Sequence, residues 1–448
     1  MILTRKQKVS YGTGAVGKDM VYAFVSGFLL YYFNVVLGIS GAFVGVLFMV
    51  ARIFDAFNDP LMGVIVEKTK TRWGKFRPWL LIGTISNAGV LYAMFSVPEG
   101  LKGVPLLAYV SVAYILWGVT YTIMDIPYWS MIPAITEPGK ERENVSVIAR
   151  SCAGVGFAIP TALTLPLVGL LGAGNDHLGF QYMAIGIAII FIITISITAA
   201  NVSEHKEAKL EKSQSIKDML MSLLRNDQAL VVVIGIIVFN SSLYLTQSLA
   251  LYFFKYDIGN EDLFGVFGTV GGAAQILSMM MLPVLRKKLE CKKILILAIA
   301  ITLSGYAFLF TLGTLQITNL VLLCMAAIII FIGFGLATVL TTIFLADSID
   351  YGEWKNHQRN ESVVFALQTF VVKLASAISG LIGGVAIDLI GIKEDVEKQS
   401  QSTLTGLRFF MIIVPMVGLI ASIIYFYKKY KLDEKTLNSI TEELQKRK

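Results

Sequence analysis

GAFVGVLFMVARIFDAFNDPLMGVIV, residues 41–66, is the stretch on which the fold turns. As an α-helix this segment rises about 39 Å, enough to cross the roughly 30 Å hydrocarbon core of a bilayer. Yet Arg52, Asp55, Asn58 and Asp59 stand in its interior. Their spacing of three and four puts them on one helical stripe. Each central Asp or Arg costs about 2.5 to 3.5 kcal/mol on insertion scales, so each marks a functional site by default.

The rest of the chain reads the same way. Of 448 residues, 55% are hydrophobic and 15% charged, against about 25% charged in soluble domains. That excludes a soluble enzyme. A span with its loops takes roughly 35 to 40 residues, which gives about twelve. The expected spans are 12–36, 41–66, 78–97, 104–131, 146–171, 180–201, 228–254, 264–285, 294–313, 318–345, 362–390 and 404–427. A polar linker, 203–227, separates an N-terminal six-helix bundle, 1–202, from a C-terminal one, 228–427, and a tail follows at 428–448. The linker pattern Ile216, Met219, Leu220, Leu223 and Leu224 suits an amphipathic helix on the membrane surface.

The net charge of +7 is carried by alternate loops. Arg5, Lys6 and Lys8, the loop from Lys68 to Arg77, Lys140 and Arg142, Lys206 to Arg225, Arg286 to Lys293, Lys355 and Arg359, and the tail are basic. The intervening loops hold little beyond Lys102, Lys393 and Lys398. This pattern predicts both termini in the cytoplasm and argues for topology, not nucleic acid, as the reason for the basic balance. No cleavable signal peptide is expected. The basic loop after the second span recurs after the eighth, as in two related bundles with substrate bound near the midplane. Three cysteines and three histidines, all far apart, suggest neither a disulfide framework nor a metal motif. Gly12-x-Gly14-x-x-Gly17-Lys18 matches a dinucleotide fingerprint in spacing, but no strand precedes it. Small residues there let the first helix pack closely.

The other charges within spans are Lys18 and Asp19, Asp125, Arg150 and Lys373, which with the stripe make four negative and four positive. Such a set can be buried as mutual pairs. Asp55 and Asp59 on adjacent turns would raise each other's pKa unless a cation sits between them. A proton or Na⁺ is the natural occupant, and a hard cation would draw further oxygens from Asn58 and Thr122. On the fourth helix Thr122, Asp125 and Trp129 share a face. An indole beside a carboxylate can hold a pyranose, the apolar ring face stacked and the hydroxyls donating to the acid. Asp19 can accept further hydroxyls and Arg150 can donate to sugar oxygens. Pro127 in this stretch is expected to disturb backbone bonding beside a cavity.

Four motifs resemble one family: Tyr11-Gly12 through Lys18-Asp19; Ala51 to Pro60; Arg72-Trp73-Gly74-Lys75-Phe76-Arg77-Pro78; and Tyr121 to Trp129. Together with Ala346-Asp347 through Glu353 and Gln368 to Lys373, they look like the glycoside-pentoside-hexuronide:cation symporters over nearly the whole chain. The resemblance implies a major-facilitator fold of twelve helices whose two bundles rock around a central site. It implies that Asp19, Asp125, Trp129 and Arg150 bind a galactosyl unit, with Lys18, Tyr121, Thr369 and Val372 around it. Asp55, Asn58, Asp59 and Thr122 would bind the cation, with Lys373 between the two sites. Arg142, Asp347, Asp350, Glu353 and Arg359 resemble a cytoplasmic gate. Thr338 stands where the most similar member has a second tryptophan, which enlarges the pocket.

The expected function is therefore Na⁺-coupled import of a neutral glycoside, a galactoside such as melibiose or raffinose, with Li⁺ or H⁺ as other coupling ions. A proton-coupled symporter of another glycoside, a pentoside or a hexuronide is the alternative. A functional monomer in a bacterial inner membrane is expected, surrounded by lipid, without enzymatic activity, cofactor or nucleic-acid partner.

Overall fold

A computed structural model describes residues 3–136, 140–204, 226–356, 361–392 and 399–447, without the side chains of 140–143, 361–369 and a few single positions. Arg359, the basic run from Lys206 to Arg225 where an amphipathic helix was expected, Lys393 and Lys398 lie outside the described residues. So do the side chains of Arg142 and Thr369. The chain divides into two units, Met1–Ser213 and Gln214–Lys448. Among the described residues, twelve helices are long and apolar enough to cross a membrane.

The first unit holds α1 (Arg5–Tyr31), α2 (Gly41–Lys68), α3 (Arg77–Phe95), α4 (Val104–Ile135), α5 (Lys140–Gly172) and α6 (Asp176–Asn201). Thr4 caps α1 in a capping box with Gln7, which satisfies two of the amide donors exposed at the helix start. The glycine-rich run at 12–17 is helical. A Cβ at Gly14 or Gly17 would collide with Thr198 or Thr194 of α6, so the small residues serve close helix packing. α1 packs along α5 and α6, α3 along α4 and α6, and α2 along α4. α4 runs unbroken past Pro127 to Ile135.

At one end of this unit, Glu204 gathers the α2–α3 loop. Its carboxylate accepts from the amides of Lys75 at 2.8 Å and Phe76 at 2.7 Å, while Arg77 Nε donates to the carbonyl of Val202 at 2.7 Å. At the opposite end Tyr32 donates to the carbonyl of Phe95 at 3.1 Å and its hydroxyl meets His177 Nδ1 at 2.9 Å.

The second unit holds α7 (Asp227–Tyr252), α8 (Asp262–Leu285), α9 (Cys291–Thr314), α10 (Leu320–Asn356), α11 (Glu361–Ile390), α12 (Gln401–Lys429) and α13 (Glu434–Arg447). Its packing repeats that of the first unit: α7 lies along α11 and α12, α9 along α10, and α8 along α10. α1 and α7 also end alike. Each passes into a π-helical turn, Tyr32–Val36 and Phe253–Ile258. Each turn is followed by a glycine at positive φ, Gly38 at 66° and Gly259 at 77°, where a Cβ would be strained. The same closing bond recurs, from the Ile39 amide to the Phe33 carbonyl and from the Asn260 amide to the Phe254 carbonyl, both 2.9 Å. The two bundles are thus structural repeats, a relation that basic loops alone barely suggested.

Several boundaries differ from the sequence expectation, among them the starts of α1 at Arg5 and α5 at Lys140, and two others bear on the charges. α10 runs on to Asn356 because the polar run after Leu345 keeps helical spacing, so Asp347, Asp350 and Glu353 ride on the helix. The π turn carries α7 beyond 254 to Ile258 and so brings in Asp257. Asp257 is gripped by Arg408 of α12, Nε to Oδ2 at 2.8 Å and Nη2 to Oδ1 at 2.5 Å, with side chains 0% and 7% exposed. The balance of four negative and four positive charges therefore gains one more pair.

A buried pair broken on one side costs about 3 to 5 kcal/mol, because it leaves an uncompensated charge. Asp257→Ala should lower the thermal unfolding midpoint of the purified protein well below that of Asp257→Leu combined with Arg408→Leu. Equal midpoints would show that the pair is not coupled.

Candidate functional site

α1 brings Lys18 and Asp19 opposite Asp125 of α4. Lys18 Nζ lies 2.9 Å from Asp125 Oδ1 and 3.0 Å from Asp19 Oδ2. The lysine side chain is 3% exposed and the carboxylates 18% and 26%. The cation is thus the buried member, and the two acids sit in front of it. One shared ammonium removes the repulsion that two close carboxylates would otherwise suffer and holds both as hydrogen-bond acceptors.

Trp129, one turn beyond Asp125, is half-buried. Lys18 Nζ lies 4.8 Å and Arg150 Cζ 5.6 Å from its ring centroid, so cation–π attraction orients the indole. Behind it, Tyr11 and Tyr128 form a reciprocal staple between α1 and α4. Each hydroxyl donates to the other residue's carbonyl at 2.5 Å, with the rings stacked at 4.6 Å. Sequence reasoning missed Tyr128 in this role, since a tyrosine in an apolar run signals only an amphipathic side chain. Tyr121 donates to the Lys18 carbonyl at 3.2 Å and lies beside Trp117 and Tyr22.

One turn earlier on α4, Thr122 donates to Asp59 Oδ1 of α2 at 3.0 Å. Asp55 is buried, paired with Arg52 Nη1 at 3.0 Å. Asn58 has its amide nitrogen buried with no hydrogen-bond partner among the described residues. An amide's nitrogen and oxygen ends are interchangeable assignments, so this side chain can present either a donor or a ligand oxygen. A hydroxyl, carboxylates and an amide make an oxygen-rich set suited to a hard monovalent cation. Tyr22 links the two clusters: its ring lies 5.9 Å from that of Tyr121 and 5.9 Å from Arg52 Cζ. No sequence signal singled it out.

The remaining described residues of the expected set belong to the second unit. Thr338 on α10 donates its hydroxyl to the Phe334 carbonyl at 2.7 Å, which leaves the oxygen as an acceptor. Val372 and Lys373 are half-buried on α11. Asp347 accepts from Tyr430 at 3.3 Å. At the end of α10, Tyr351 at 3.0 Å and Lys355 at 2.5 Å both donate to Asp227, an acidic hub at the start of α7 that sequence reasoning did not identify.

The family model for MFS/sugar transport proteins matches residues 10–434. The isoprimeverose transporter of Lactiplantibacillus pentosus is 30% identical over 98% of this chain and 91% of its own length. The raffinose carrier protein of Pediococcus pentosaceus is 26% identical over 98% of this chain and 71% of its own length. The lactose permease of Leuconostoc lactis is 26% identical over 98% and 72%. Among solved structures, the nucleoside transporter NupG superposes with a TM-score of 0.69 at 14% identity, covering 95% of this chain and 100% of that one. At that identity the likeness concerns the fold alone.

Removing the shared cation should be costly. Lys18→Met leaves Asp19 and Asp125 facing each other, and a loss of about 3 kcal/mol in folded stability is expected. Adding Asp125→Asn should recover much of it, as coupled neighbours are non-additive. Differential scanning fluorimetry on both variants checks this; purely additive losses would contradict the sharing.

Proposed function

The chain belongs to the MFS/sugar transport protein family and is a sugar symporter, and we propose that it imports a neutral glycoside together with Na⁺. It is a multi-pass bacterial membrane protein and not an enzyme. The observation that carries the reading is on α4. Thr122, bonded to Asp59, and Asp125, bonded to Lys18, are three residues apart on one helix. A cation that draws Thr122 and Asp59 together also fixes the phase of α4, and with it the acceptor Asp125 and the indole of Trp129. Coupling is then a shared helix, and linkage requires it to be reciprocal.

In this reading Asp19, Asp125, Trp129 and Arg150 hold one sugar ring, with Lys18 and Tyr121 behind them. Thr338, Thr369, Val372 and Lys373 contribute from the second unit. Asp55, Asn58, Asp59 and Thr122 take the cation. Arg142, Asp347, Asp350, Glu353 and Arg359 form a gate on the cytoplasmic side, where both termini lie, and a monomer cycles by alternating access. A hexuronate would bring its carboxylate beside Asp19 and Asp125, where like charges repel strongly in low dielectric. A neutral cargo fits better, and the sugars named for the relatives, isoprimeverose, lactose and raffinose, carry no carboxylate. The motifs resemble those of melibiose permease, which supports reading the cargo as a galactoside such as melibiose or raffinose. One observation favours the alternative of proton coupling, with another glycoside, a pentoside or a hexuronide as cargo: Arg52 already occupies Asp55 at 3.0 Å, which leaves fewer oxygens for Na⁺.

Na⁺, Li⁺ or acid should raise sugar affinity in proteoliposomes, and Asp59→Cys should abolish accumulation while some sugar binding remains. Sugar binding indifferent to all three ions would refute coupling at this site.

Because Trp129 supplies stacking and Thr338 leaves room, aryl galactosides and raffinose should compete at least as well as melibiose. Thr338→Trp should narrow that range. Trp129→Ala should weaken all ligands together, stacking being worth about 0.5 to 1.5 kcal/mol beyond burial. A competition series in which Thr338→Trp affects small and large ligands equally would overturn the one-anchored-ring model.

A further inference from the structure

Arg52 stands against Asp55, a carboxylate that the coupling cation is proposed to use. Its Nη1 lies 3.0 Å from Asp55 Oδ2, with the two side chains 12% and 7% exposed. A monovalent cation arriving beside Asp55 meets this guanidinium, and like charges repel strongly in low dielectric. Moving Arg52 off the carboxylate with no other partner would leave a buried charge uncompensated. Cation binding at Asp55 therefore calls for a second seat for Arg52 within reach.

Such a seat is present on α1. Arg52 Cζ lies 5.9 Å from the ring centroid of Tyr22, and Tyr114 of α4 stands beside the same guanidinium. The negative face of an aromatic ring attracts a cation, most strongly where water is excluded. The Tyr22 ring is backed by aromatics of α4, with Tyr121 at 5.9 Å and Trp117 at 6.4 Å between centroids. Trp117 is 1% exposed and Tyr121 is bonded to the Lys18 carbonyl at 3.2 Å, so both backing rings are fixed. Asp55 is also placed to change partner. A Cβ at Gly118 would lie 3.0 Å from its Oδ1, so that oxygen faces α4 one turn before Thr122, while Oδ2 holds Arg52.

We propose that Tyr22 is a positioning residue for cation coupling: its ring takes the Arg52 guanidinium when Asp55 turns to the incoming cation. The inference rests on reading Asp55, Asn58, Asp59 and Thr122 as the cation site. It removes the difficulty that Arg52 already engages Asp55, because the ion pair is then one of two arrangements open to Arg52. Tyr22 acts on the cation only through Arg52, and the face of its ring, not its hydroxyl, does so.

The test is isothermal titration calorimetry of NaCl into the purified full-length protein. Tyr22→Phe keeps the ring face, and its Na⁺ affinity should stay within about threefold of native. Pentafluorophenylalanine introduced at position 22 keeps the shape of that ring but reverses its quadrupole, and should bind Na⁺ about tenfold more weakly than Tyr22→Phe. A ring that served packing alone would not separate these two variants. Equal Na⁺ affinity in the two overturns the proposal, and leaves the cation site standing where native protein binds Na⁺ and Asp59→Cys does not. Native protein with no Na⁺ binding that Asp59→Cys removes would overturn the cation site itself, and this role of Tyr22 with it.

Discussion

In hydrocarbon a charge must find its counter-charge inside the protein, because no water is there to solvate it. Much of this architecture follows from that one requirement. Lys18 satisfies it by joining α1 to α4 through two carboxylates, and Arg408 satisfies it by joining α12 to α7 through Asp257. Arg52 and Asp55 satisfy it within a single helix, one turn apart. Pairs between helices fix both distance and rotation, so charge neutralisation also sets the phase of the helices that carry the acceptors. The pair within α2 also touches its neighbours, Arg52 over the Tyr22 ring of α1 and Asp55 against Gly118 of α4. Asp59 engages α4 through Thr122, which is where coupling between the clusters can arise.

The repeat organises what the charges fasten. α1 and α7 hold equivalent places, each packed against the fifth and sixth helices of its own bundle and each ending in a π turn closed by a glycine at positive φ. The two have specialised differently around that shared frame. In α1 the turn is tied by Tyr32 to Phe95 and His177, all neutral or weakly basic groups. In α7 the corresponding turn carries the carboxylate that Arg408 grips from two sides. π turns concentrate at sites where a helix must do more than span. Here two of them close the first helix of each unit, and a third, Phe409–Ile413, follows Arg408 within α12.

Much of the fold was legible because the bilayer penalises what it does not want. Apolar runs, basic loops and in-span charges are each costly to misplace, so they stand out without any structure. Lys18, Asp19 and Asp125 were found for that reason and Trp129 because it shares a face with Asp125, and the four do come together. What stayed hidden was whatever the penalty does not mark. Tyr11 and Tyr128 hold each other through carbonyls 117 residues apart, and a tyrosine is unremarkable in such a run. Glu204 lies in a polar stretch where an acid is ordinary, and only the fold shows it closing on the Lys75 and Phe76 amides. Asp257 escaped because a π turn extends the helix past the point where hydropathy falls.

The Lys18 triad also limits how such a protein can diversify over generations. Each member neutralises or orients another, so a change at Lys18, Asp19 or Asp125 is punished before a compensating one can arise. Drift is freer where a side chain answers only to its own helix, as Thr338 does through the Phe334 carbonyl. New cargo preferences should therefore accumulate at such self-contained positions, while the triad behaves as an inherited module that is kept whole or lost whole.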